Sequence, residues 1–392
     1  MESGVRDKFL VFGAPLIEEA EIDEVVASMR SGWLGTGPKV ARFESAFARY
    51  LGVEQSVAVS SCTAALHLSI LAAGVKPGDE VITTALTFCA TVNAVIHAGA
   101  TPVLVDVDPS TMNMDPGQLR ARLTPRTRAI VLVHFAGRPC DMAAICDIAA
   151  SRGLAIVEDC AHAIETEYRG KKAGTFGDFG CWSFYVTKNV AAGEGGMVVA
   201  RRPEDAARIK VLALHGMSQD AWKRFGDEGF KHYHVVECGF KYNMMDIQAA
   251  IGLHQLDRVE ALWPRRRALW ERYNAAFAGL PVGRPADPAP DTRHAYHLYT
   301  LLVDPDRAGI TRDGFLDAMT ARKIGVGVHY MSVPEHPYYQ RAFGWKPEDY
   351  PHAMRIGRQT VSLPLSAKLT DEDALDVVTA VRDIVRPTKG RR

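Results

Sequence analysis

Between residues 56 and 200 the chain alternates short apolar runs with segments whose apolar residues recur every three or four positions. The short runs predict strands at Val57–Ser60, Val81–Thr83, Val103–Asp106, Ala129–His134, Ala155–Glu158, Cys181–Tyr185 and Met197–Ala200. Between the first five, the periodic segments predict helices at Ala64–Ala73, Ala90–Ala98, Pro116–Leu123 and Met142–Ser151. Such alternation specifies an α/β fold, a mostly parallel sheet with helices on both faces. The run Ala129-Ile130-Val131-Leu132-Val133 is apolar at every position, as a strand buried on both faces must be.

After Ala200 the pattern turns helical, at Glu204–Leu214, Asp246–Leu262 and an Arg-rich segment, Arg265–Phe277. A Pro-rich stretch from Pro281 to Pro290 reads as a hinge or linker. Beyond it, a strand at Leu298–Val303 and a helix at Arg312–Lys323 predict a smaller α+β unit. The N-terminal helix, Glu18–Arg30, is expected to pack on that unit. The expected organisation is therefore an N-terminal segment (1–30), a large α/β domain (31–262) and a small C-terminal α+β domain (263–392).

Composition narrows the function without naming it. The chain has 392 residues, 47% of them hydrophobic, which is ample for a large core. Its 46 basic residues balance 46 acidic ones, so nothing electrostatic favours a nucleic acid or an anionic membrane as partner. The start, Met1 to Lys8, is charged where a secretory signal is apolar, and no run approaches the ~18 apolar residues of a membrane span. The seven cysteines include no C-x-x-C pair, so they read as reduced thiols of a cytoplasmic protein, with neither zinc nor disulfides.

In open parallel sheets, ligands bind beyond the carboxyl ends of the strands. The first strand delivers Ser60-Ser61-Cys62-Thr63-Ala64 at a helix start, either an anion pocket or a plain N-cap. The fifth ends in Glu158-Asp159, then Cys160-Ala161-His162. The sixth runs through Ser183 to Lys188-Asn189 and the turn Gly193-Glu194-Gly195-Gly196, so Lys188 is a Schiff-base lysine or a solvated loop lysine. Together the parts are more specific than any one of them. Pyridoxal phosphate needs an amine, an acid at the pyridine nitrogen, a phosphate pocket and an apolar ring partner. Lys188, Asp159, Thr63 with Ser183, and Phe88 after the second strand could supply these four.

Longer motifs point the same way. They include Ser31-Gly32-Trp33-Leu34-Gly35-Thr36-Gly37-Pro38, Pro77-Gly78-Asp79-Glu80-Val81-Ile82, Val157-Glu158-Asp159-Cys160-Ala161-His162-Ala163 and Gly239-Phe240-Lys241-Tyr242-Asn243-Met244. Val328-His329-Tyr330 and Ser362-Leu363-Pro364-Leu365 follow. With these the chain resembles the sugar aminotransferases of the DegT/DnrJ/EryC1/StrS group from about residue 10 to 385. The resemblance implies a fold type I pyridoxal-phosphate transferase with a seven-stranded sheet, cycling through pyridoxamine 5'-phosphate. It implies that Lys188 bonds the cofactor, Asp159 faces its ring nitrogen, Phe88 stacks on the ring and His162 lies near its hydroxyl. Thr63, the Ala64 backbone and Ser183 match phosphate contacts. Asn243 resembles an asparagine that a neighbouring subunit donates, which implies a homodimer with shared active sites. Cys62 stands where the group commonly has glycine.

A lysine at position 188 also separates transamination from the sugar dehydration of similar proteins, which carry histidine there. The resemblance implies L-glutamate as donor, 2-oxoglutarate as its product, and a nucleotide-linked keto-sugar as acceptor. The loop from Lys188 to Gly196 resembles that of enzymes acting at C4, which favours a 4-keto-6-deoxy sugar. Trp33, His329, Tyr330 and His336 are candidate substrate contacts, with strand packing or an exposed loop as the plain alternatives for the last three. A 3-keto-sugar, a keto-cyclitol, or a cofactor-binding sensor without turnover remain the competing readings.

Overall fold

A computed structural model describes residues 5–218 and 233–385. The first four residues of the expected N-terminal segment and the last seven of the C-terminal unit lie outside the described residues.

All seven predicted strands of the first half join one sheet. They are β1 (Val57–Val59), β2 (Glu80–Thr84), β3 (Thr101–Val105), β4 (Thr127–Val133), β5 (Ala155–Asp159), β6 (Phe179–Ser183) and β7 (Gly196–Ala200). Their order is β1-β7-β6-β5-β4-β2-β3. The pairs β2–β3, β2–β4, β4–β5 and β5–β6 are parallel, and β7 alone runs antiparallel to both its neighbours. Every residue of β4 but Arg128 is buried, consistent with helices covering both faces.

The helices α1 (Glu19–Ser31), α2 (Pro38–Leu51), α3 (Cys62–Ala72), α4 (Cys89–His97), α5 (Pro116–Ala121), α6 (Met142–Arg152) and α7 (Pro203–Ala213) surround this sheet or flank it. Local chemistry sets where several begin. Ser61, Asp115 and Asp141 each accept a backbone N–H of the first turn of α3, α5 and α6. Gly196, at the start of β7, is a packing requirement. A Cβ there would meet the Ser61 carbonyl carbon at 2.4 Å, so β7 can lie against the turn into α3 only as glycine.

Two helical segments expected around Pro264 are one helix, α8 (Asp246–Ala276). Proline removes a hydrogen bond and costs about 3 kcal/mol inside a helix. Burial at both ends offsets that cost. Ala249, Leu253, Leu256 and Val259 pack with Phe43 and Phe47 of α2, while Leu269, Trp270 and Tyr273 enter the core of the smaller unit. The expected boundary between residues 262 and 263 thus falls within one continuous helix.

The N-terminal segment divides its contacts. Before the helix, Leu10 bridges to Ile324 and Arg6 pairs with Asp373 and Asp376 in the C-terminal unit. The helix α1 itself, however, lies against the first half of α8, where Glu21 accepts hydrogen bonds from Gln255 and Arg258. The smaller unit has a two-stranded antiparallel sheet, β8 (Tyr299–Leu302) with β9 (Thr360–Leu363), over a core that includes Tyr273, Phe277 and Phe315. The Pro-rich stretch expected as a hinge or linker lies within the smaller unit and is tied to the larger one, since Arg138 donates to the Ala286 and Asp287 carbonyls.

Candidate active site

Lys188 lies five residues past the end of β6, in a turn where its N–H donates to the Tyr185 carbonyl at 2.8 Å. Burial disfavours its charged form and brings its pKa down to about 8, although Asp159 and Cys62 pull the other way. A lysine in that position is a usable base near neutral pH.

Asp159 ends β5, and its carboxylate is buried. Thr91 Oγ1 donates to one oxygen at 2.9 Å and the Ala161 N–H to the other at 3.1 Å. With the Thr91 proton so used, Thr87 Oγ1 must donate to Thr91 across their 2.8 Å contact, making a directed chain into the acid. Burial raises the Asp159 pKa above its ordinary value, and those hydrogen bonds and Lys188 oppose the rise.

His162 is fixed from both sides. The Ala136 N–H donates to Nδ1 at 3.2 Å, so the neutral ring carries its proton on Nε2, which lies 2.9 Å from the Tyr330 hydroxyl. Burial keeps this imidazole neutral. His329 is also neutral, with a pKa lowered to about 3 by burial and by the Lys188 charge, and its Nδ1 is 2.8 Å from Ser362 Oγ. The small unit therefore contributes His329 and Tyr330 to the same cluster as Lys188. Phe88 stands at the open side, 56% exposed, with its ring 5.7 Å from that of Tyr330.

At the head of α3, Ser61 Oγ takes the Ala64 N–H at 3.1 Å, and Thr63 is partly exposed beside it. Ser183, at the end of β6, accepts the Tyr185 N–H at 3.3 Å. Asn243 bridges to Val59 of β1, and its Nδ2 donates to Thr36 at 2.7 Å, while its buried Oδ1 has no partner among the described residues. Trp33 is exposed, and its backbone N–H bonds Ser31. His336 precedes the helix Pro337–Phe343, and the ring it touches is Tyr339; among the described residues no contact joins it to the Lys188 cluster.

Three metal-binding side chains, His134, Glu158 and Cys160, also converge within 4.8 Å. The ligand atoms of two of them, Glu158 and His134, are already engaged within the fold. Glu158 accepts from the N–H groups of Gly174, Phe176 and Gly177 and pairs with His134 at 3.0 Å. His134 Nδ1 takes the Cys140 N–H at 3.1 Å. This cluster is a structural pin between β4 and β5. Sequence reasoning did not single out Thr91, Asn189 or His297 as site residues. Asn189 and His297 are 108 positions apart, and no spacing rule joins them.

Known proteins are similar to this chain over nearly its whole length. A sequence model of the DegT/DnrJ/EryC1/StrS aminotransferase family matches residues 15–382. The spore coat polysaccharide biosynthesis protein SpsC of Bacillus subtilis is 49% identical over 382 residues, spanning 97% of this chain and 98% of its own. Among solved structures, the PLP form of the putative sugar aminotransferase Spr1654 from Streptococcus pneumoniae superposes with a TM-score of 0.89 at 32% identity, covering 96% of this chain and 98% of that one. PseC of Helicobacter pylori, an aminotransferase involved in the biosynthesis of pseudoaminic acid, gives 0.88 at 27%, over 96% and 99%. Among the described residues no helix is long and apolar enough to cross a membrane.

Proposed function

The chain belongs to the DegT/DnrJ/EryC1/StrS aminotransferase family, and from that premise we propose that it is a pyridoxal-phosphate-dependent sugar aminotransferase of amino-sugar biosynthesis. In this reading L-glutamate donates the amino group, and the acceptor is a nucleotide-linked 4-keto-6-deoxy sugar aminated at C4. The observation that carries it is a buried lysine with a pKa near 8, in the turn after one strand, within electrostatic reach of a buried carboxylate at the end of the adjacent strand.

The residues present fit the cofactor. Lys188 offers the amine, Asp159 a fixed carboxylate, and Thr63, Ala64 and Ser183 a phosphate cradle at a helix start. Phe88 offers an exposed aromatic face, and His162 a polar edge. The unpaired Asn243 Oδ1 fits an amide that finds its partner only in a second copy of the chain, so the working unit is a homodimer with shared sites. When bound, the cofactor supplies an aldehyde for the lysine and a ring that accepts the electrons of a carbanion.

The chain's own residues then handle the protons. Asp159, held by Thr91 and Ala161, keeps a proton on the ring nitrogen it faces. Lys188, neutral for much of the time near pH 8, takes a proton from the donor carbon at Nζ and returns one to the acceptor carbon. His162 keeps its Nε2–H as a donor because Ala136 blocks the other tautomer. Trp33, His329, Tyr330 and His336 are the residues assigned to the sugar side, with His336 acting from a separate loop.

The test is spectroscopic first and catalytic second. The purified protein should be yellow, and its visible absorption should bleach on addition of L-glutamate. A panel of nucleotide-linked 4-keto- and 3-keto-sugars then reads the position aminated. A colourless protein, or a yellow one that glutamate leaves unchanged, would sink the reading. Turnover of 3-keto-sugars alone would move it to C3.

A further inference from the structure

Lys188 and His297 line the same small cavity of about 10 Å³, roughly the room of one water, together with His162, Ser183 and Asn189. His297 comes from the segment just before β8, and its ring lies 4.5 Å from that of His162. Its Nδ1 is 3.0 Å from Asn189 Oδ1. The other end of the Asn189 amide settles what that contact is. Nδ2 donates one hydrogen to Glu165 at 2.9 Å and the other to the Ala295 carbonyl at 3.0 Å. Turning the amide over would set its oxygen against a carboxylate and a carbonyl, two acceptors facing an acceptor. The orientation is therefore chemically determined, and an amide oxygen can only accept. The proton of the neutral His297 ring is on Nδ1.

Two consequences follow for the ring's other nitrogen. His297 Nε2 carries a lone pair, and among the described residues it makes no hydrogen bond. The neighbouring imidazole differs, because both nitrogens of His162 are engaged by Ala136 and Tyr330. Glu165 is itself paired with the buried Arg266 of α8, so the amide is anchored on a fixed ion pair. The charged or titratable groups facing His297 are Lys188, His329, Arg266 and His294, with His162 packed against it, and burial keeps the His297 ring neutral among them.

We propose that Asn189 is a positioning residue: its amide holds His297 as the Nδ1–H tautomer, so that His297 Nε2 offers a lone pair to the Lys188 amine across their shared cavity. In the working enzyme the Lys188 amine takes up that lone pair, which aims the remaining bonds of Nζ toward the substrate side. This rests on the reading of Lys188 as the group that moves the proton. The tautomer itself does not, since it follows from the chain's own hydrogen bonds.

The experiment labels histidine with nitrogen-15 in the full chain loaded with pyridoxal phosphate and reads each ring by long-range proton–nitrogen correlation. The expected result is an Nδ1–H pattern for His297, replaced by an Nε2–H or mixed pattern in Asn189→Leu. Expected with it is a kcat lower by about 10- to 100-fold at unchanged KM for glutamate. His297→Asn should lose as much, because it cannot reach the Nε2 position, and His297→Gln should recover part of the loss by placing an amide oxygen there. An Nε2–H pattern in the wild-type protein overturns the proposal. So does equal turnover by His297→Asn and His297→Gln, a comparison that stands even if Asn189→Leu does not fold. A protein that takes up no cofactor would instead overturn the aminotransferase reading, and the tautomer would still be measurable in it.

Discussion

Glu158 and Asp159 are consecutive residues of one strand, both buried and both acidic, yet their surroundings differ in kind. Successive strand residues face opposite sides of the sheet. Glu158 meets three backbone N–H groups and His134, so its acceptor capacity is used within the fold. Asp159 meets one hydroxyl and one N–H, with the Cys62 thiol as a weak third donor at 3.8 Å, and the Lys188 charge acts on it. The difference teaches how to separate a structural acid from a functional one. The first has no acceptor direction left, while the second is held firmly and left short of partners.

Breaking the functional side of this contrast should have the largest effect. Lys188→Ala should lower kcat by about 10³-fold or more, since both the bond to the cofactor and the proton transfer need the amine. Its thermal midpoint should not fall, because a desolvated lysine is removed. Turnover at the wild-type rate in a steady-state assay would end the assignment.

The acids themselves should then part company. Asp159→Asn should reduce kcat about 100-fold while folding normally. Burial raises the Asp159 pKa, so the folded chain holds that proton longer than the unfolded one. Its contribution to stability accordingly falls as pH rises past the ordinary carboxylate range, and the asparagine variant escapes that loss. Glu158→Gln should do the reverse. It sets an NH2 group against backbone donors and should cost about 3 kcal/mol in urea unfolding, with kcat per folded molecule unchanged. Equal stabilities for the two variants would erase the distinction.

A pH titration sharpens the same contrast through Lys188. The rate of Lys188 acetylation, followed by peptide mass analysis of the cofactor-free chain, should climb through a midpoint near pH 8, as the neutral amine is the reactive form. Because the folded chain releases this proton before the unfolded one, the lysine's contribution to stability rises between about pH 8 and the ordinary 10.5. A midpoint at the ordinary value would mean that water reaches the amine freely. The smallest expected effect is Thr91→Val, which removes one donor to Asp159 and should cost about 1 kcal/mol, read as a shift of about one degree in the thermal midpoint.

Much of the scaffold was legible because it obeys short-range rules. All seven strands were placed within a few residues from apolar runs alone, and Thr63, Lys188 and Asp159 were singled out by asking what each strand delivers at its end. Pro264 misled the reading of α8, since a local cost was outweighed by two hydrophobic cores that no local window contains. The same limit misplaced α1, whose partners Gln255 and Arg258 are more than 230 residues away in the chain.

By itself, then, the sequence determined the alternation of elements, the parallel sheet and the residue types at the strand ends, all of them consequences of periodicity and backbone chemistry. Its motifs determined the family. Only the tertiary structure decided which protonation and tautomeric states those residues adopt. That Lys188 sheds its proton near pH 8, that Glu158 is spent and Asp159 is not, and that His297 keeps its proton on Nδ1 all depend on burial. They depend as well on hydrogen bonds between residues tens to hundreds of positions apart. Desolvation and donor geometry are properties of the assembled site.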